Sequence, residues 1–106
     1  MPTWTPPPTV SQPGVELRGW AAFEALLHGI GHPTLHFVGY NDAIGEGRVS
    51  SPIVQFDGAT KYGISRSGRI YRLVGKPGLG GDARYVWARW LSTWDATVLR
   101  DCSDSF

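Results

Sequence analysis

This chain is short of cysteine, methionine and charge. Cys102 is the only cysteine among 106 residues. One thiol excludes an internal disulfide and any multi-cysteine zinc site. It suits a reducing compartment, and the reading is a cytoplasmic one. Ten basic residues face nine acidic ones, for a formal net charge of +1. That balance gives no electrostatic case for nucleic acid, whose binding domains show a basic face or a pI above about 9. No apolar run approaches the roughly 18–20 residues of a membrane span. The first residues also lack the charged and apolar regions of a secretory signal. The expectation is a soluble protein without membrane contact.

Aromatic residues are plentiful. They make up 12% of the chain and include five tryptophans. Three of these, Trp87, Trp90 and Trp94, are spaced three and four apart, which places them in one sector of an α-helix. Ala83, Val86 and Leu91 widen the sector into an apolar stripe. Arg84, Tyr85, Ala88, Arg89, Ser92 and Thr93 take the other side. Each indole can bury roughly 150–250 Å², roughly 4–6 kcal/mol of gross transfer energy. This helix must dock on something.

Five of the eight prolines fall within the first thirteen residues. Proline fixes φ and removes a donor, so residues 1–14 read as an extended, proline-rich arm carrying Trp4. A single domain is expected over 15–101, followed by an exposed tail over 102–106. Trp20, Phe23, Leu26, Leu27 and Ile30 have helical spacing, which predicts a helix from Gly19 to His28, stopped by Gly29, Gly31 and Pro33. From Thr34 the period changes to short β-rich runs near residues 35–39, 48–50, 53–56, 60–65 and 69–74. Residues 97–100 suggest one more strand. Ser67-Gly68 reads as a two-residue hairpin turn. In that register Arg66 faces Arg69, and Tyr62, Ile64, Tyr71 and Leu73 share a core face. Asp82 is the expected N-cap of the tryptophan helix. Because strands run consecutively, the fold class expected is α+β: an N-terminal helix, an antiparallel meander of four to six strands, and a C-terminal amphipathic helix on the sheet.

Chemistry leaves little trace. Gly75–Gly81 lies between a strand and a helix but lacks the lysine and hydroxyl residue of a phosphate loop, and it reads as a connection. His28, His32 and His36 recur every four residues, the spacing of metal ligands on a helix. The intervening glycines and Pro33 argue against that helix. A folded-back site with Asp42 or Glu46 would be the basis of a metal-dependent enzyme, one alternative reading. There is no nucleophile elbow, Cys102 has no histidine nearby in sequence, and no carboxylates form an evident acid–base couple. The reading is a non-enzymatic protein with no cofactor, no metal and no catalytic residues.

A contact surface is the stronger signal. Arg66, Arg69 and Arg72 cluster about one hairpin, and Arg84 and Arg89 accompany Tyr85 on the polar side of the helix. Arginine and tyrosine are favoured at interface hot spots. The same six residues could instead meet phosphates and a base, the alternative of a small nucleic-acid regulator. Five tryptophans also leave a homodimer open.

The stretches Gly47-Arg48-Val49-Ser50-Ser51-Pro52-Ile53-Val54 and Ser65-Arg66-Ser67-Gly68-Arg69-Ile70-Tyr71-Arg72-Leu73 resemble small phage or prophage proteins of GC-rich proteobacteria. The resemblance runs from Leu17 to Leu91. It implies a mobile-element protein in the cytoplasm of a bacterial host, binding a host or phage protein complex. It further implies an inhibitor of a host defence machine such as a CRISPR effector.

Overall fold

The segment expected to be an N-terminal helix is the longest strand of the protein, β1 (Gly14–Leu27). A computed structural model describes residues 14–106, so the proline-rich arm lies, apart from Gly14, outside the described residues. After β1 come β2 (Thr34–Asn41), β3 (Glu46–Val49), β4 (Ile53–Asp57), β5 (Tyr62–Ser65) and β6 (Ile70–Leu73). The one α-helix among the described residues, α1 (Gly81–Thr93), is followed by β7 (Ala96–Asp101) and a short 3-10 turn, Ser103–Ser105.

The strands form one mixed seven-stranded sheet of order β3-β2-β1-β6-β5-β4, with β7 also paired to β1. This overturns the α+β layout: there is no N-terminal helix among the described residues, and the strands are not a simple meander. β1 pairs antiparallel with β2 and with β7 but parallel with β6. Its first four residues run beside β6 and its last five beside β7. The change falls at a register shift between Arg18 and Ala21, where Gly19 has φ of +51°. A Cβ there would stand 2.9 Å from the Gly78 carbonyl oxygen, so glycine is required by both conformation and space.

The helical spacing misled because β1 is buried on both faces around residues 20–25, whereas residues 14–18 alternate between exposed and buried. Trp20, Ala21, Ala22 and Ala25 are all buried. A strand without in–out alternation cannot be told from a buried helix by period. β2 has the same character. Leu35 and Phe37 turn to one core with Leu17, Trp20, Tyr71 and Leu73, while Val38 turns to another with Ala25, Ala83 and Trp87. The sheet therefore has α1 on one side and its own folded-over β4–β6 limb on the other.

Two further expectations are corrected. Tyr62 pairs with Arg72 and Ile64 with Ile70, so the β5–β6 loop holds three residues, Arg66, Ser67 and Gly68. Gly68, at φ of +87°, closes it with its N–H donating to the Ser65 carbonyl. One residue of slip exchanges the faces: Tyr71 and Leu73 are core, but Tyr62 and Ile70 are exposed. The C-terminal residues are not an exposed tail either. Cys102 and Ser103 are buried, and Phe106 packs edge-on against Phe37 and Phe56.

Candidate functional site: an aromatic cleft between helix and hairpin

α1 docks through Ala83 and Trp87, as its apolar stripe requires. Its N-cap is Gly80 rather than Asp82, which stands in the first turn. There its carboxylate complements the helix dipole. Phe23, Trp87 and Trp90 stack in a row, with centroids 4.8 and 5.2 Å apart. Trp94 breaks from the docked stripe. It follows the last helical residue, tilts 45° to Trp90 and stays 51% exposed.

His36 continues the row from β2, its ring centroid 4.6 Å from that of Trp90. It is fully buried. Burial is the main cause that pushes its pKa below the usual histidine value. The Ser50 carbonyl opposes that shift and Arg66 reinforces it. A carbonyl only accepts, so Nδ1–H donates to Ser50 O at 2.8 Å. In the neutral ring Nε2 then accepts from the Thr34 hydroxyl at 2.7 Å. Ser50 is held in turn by exchange with β2: its N–H donates to Phe37 O, and its hydroxyl accepts from Phe37 N–H.

Of these, His36, Ser50 and Trp90 line a cleft of about 760 Å³, within the roughly 300–1,000 Å³ of small-ligand sites. One wall is α1, with Asp82, Tyr85, Arg89, Trp90 and Trp94; the other is Glu46, Ser51, Pro52 and Arg66. Pro52 is where the chain leaves β3 for the second limb, and its carbonyl accepts from Arg66 N–H. The turn of the hairpin is thereby brought to the helix.

Three of the six surface residues read from sequence meet here: Arg66, Tyr85 and Arg89. Arg89 donates to the Tyr85 hydroxyl at 3.1 Å. The other three do not. Arg69 is buried within the hairpin limb. Arg72 pairs with Glu16 at 3.0 Å and covers the Tyr62 ring. Arg84, outside the cleft, reaches the Leu79 carbonyl. Sequence reasoning missed His36, Ser50, Pro52 and Glu46 as cleft residues. The Ser-Ser-Pro break after β3 was the available signal.

The three histidines stay apart. His28 is exposed beside Asp95 and His32 is exposed in the turn after β1. No cluster of three or more His, Cys, Asp or Glu suited to a metal occurs among the described residues. The Thr34–His36 pair has the form of a hydroxyl beside a base. Thr34 is nevertheless buried away from the cleft, with its hydroxyl also near the Ala25 carbonyl. No helix among the described residues is long and apolar enough to cross a membrane. The chain matches no family model, no curated protein and no solved structure.

Proposed function

We propose that this chain is a non-enzymatic binding protein that engages a partner protein through the cleft between α1 and the β5–β6 turn. The observation that carries this reading is the convergence of Arg66, Tyr85 and Arg89 with Trp90 and Trp94 on one apolar concavity. Tyrosine, tryptophan and arginine dominate contact energies because they join large area to directed donors. The only imidazole in the cleft is committed to Thr34 and Ser50 and serves the architecture. A nucleic-acid reading fits less well, because Glu46 and Asp82 line the same cleft and Arg72 is paired with Glu16.

The resemblance to phage and prophage proteins supports a finer reading, an inhibitor of a host defence complex in the bacterial cytoplasm. The test is to express the chain in bacteria whose CRISPR effector restricts a targeted plasmid. Plasmid establishment should be restored by the wild-type chain and lost again in the Tyr85→Ala, Arg89→Ala, Trp94→Ala triple variant. Undiminished restriction with the wild-type chain present, and no effector component retained by it, would overturn the inhibitor reading.

A further inference from the structure

The cleft is polarised along its length. Asp82 stands in the first turn of α1, and Glu46 opens β3. Arg89 comes seven residues after Asp82, about 10 Å further along the helix axis, with Trp90 and Trp94 beyond it. Arg66 reaches the same end. Its N–H donates to the Pro52 carbonyl, and two residues earlier the Ser50 carbonyl accepts from His36, whose ring lies against Trp90.

Neither guanidinium meets a carboxylate among the described residues. The Arg89 side chain bonds to the Tyr85 hydroxyl, and Arg66 is fixed through its backbone. The arginine fork is matched to a carboxylate by geometry as well as charge. Beside the two forks, Trp90 and half-exposed Trp94 provide an apolar aromatic wall. A ligand satisfying both must carry a ring and an acid close together. A nucleic-acid backbone meets the forks too, but it brings a row of charges past Glu46 and Asp82.

We propose that the arginine-bearing end of the cleft takes an aromatic side chain flanked by carboxylates, presented by a segment of the partner protein. This rests on the binding reading above and names the chemistry of its ligand. The ring stacks at Trp90 and Trp94, and the acids pair with Arg66 and Arg89.

The test is calorimetric titration of the full chain with the peptide acetyl-Gly-Glu-Phe-Glu-Gly-amide. Two further peptides replace both Glu by Gln or the Phe by Ala, and a thymidine oligonucleotide of similar length is the fourth ligand. Saturable binding of the first peptide is expected, weakened at least about tenfold by either replacement, the effect of losing a charge-assisted contact. The Arg66→Gln, Arg89→Gln double variant should lose the preference for Glu over Gln, and Arg84→Gln should keep it. Equal binding of the Glu and Gln peptides, tighter binding of the oligonucleotide, or binding by none of the four overturns the proposal. Peptide binding with undiminished plasmid restriction would remove the inhibitor reading and leave this one standing. Restored plasmid establishment without peptide binding would do the reverse.

Discussion

His36 has both ring nitrogens committed while neutral, and burial holds its pKa below the ordinary histidine value. The unfolded chain takes up a proton near pH 6.5 that the folded chain resists. Folding stability is therefore whole above that pH and falls as pH drops toward the folded value, by up to about 1.4 kcal/mol per pH unit. Urea unfolding at pH 7 and pH 5 should show this decline, and His36→Gln should flatten it. Gly63 is a second sensitive point, since a Cβ there would stand 2.6 Å from Phe37 Cε2. Gly63→Ala should destabilise by about 1–3 kcal/mol through overpacking, measured by the same unfolding curves. Neither role was legible in the sequence. Histidine spacing suggested metal ligands, and the glycine looked like an ordinary strand residue, because both roles depend on neighbours from distant segments.

At the scale of elements, the existence of α1 followed from its stripe, with Tyr85 and Arg89 on the polar side, but its N-cap is Gly80 and Trp94 lies past its last residue. Its three indoles nonetheless do different work. Trp87 is 6% exposed and stacked on Phe23, so Trp87→Ala should cost about 3–5 kcal/mol of stability. Trp94→Ala should shift stability by less than about 0.5 kcal/mol, as surface changes do, while abolishing peptide binding in the cleft. Comparing the two thermal unfolding midpoints with one binding titration separates scaffold from contact. The strands β2 to β7 overlap the runs that turn residues marked out. The β5–β6 register did not follow from Ser67-Gly68, because a three-residue loop closed by a left-handed glycine uses the same letters. β1 was misread over its later part for a physical reason: around residues 20–25 it packs on both faces and loses the alternation that residues 14–18 keep.

Over the whole molecule, what could not be read was which strand lies beside which. Pairing β1 with β6 in parallel joins residues more than fifty apart, and no local pattern encodes it. The core that faces the β4–β6 limb depends on the last residues. Ser103 accepts from Ala22 N–H at 3.0 Å, and Phe106 completes the ring cluster with Phe37 and Phe56. Ser103→Ala should cost about 1–3 kcal/mol by orphaning that buried amide, read as a lowered urea midpoint. Deleting residues 96–106 should abolish the cooperative unfolding transition altogether, since it strips one side of β1 over Phe23–Leu27. The place of β7 beside β1 also sets a timetable. On the ribosome the earliest strand emerges long before the strand that covers it, so the nascent chain must hold Phe23, Ala25 and Leu27 without their partner. Nascent chains arrested before Ala96 should therefore be more open to protease over β1 than chains long enough to include β7.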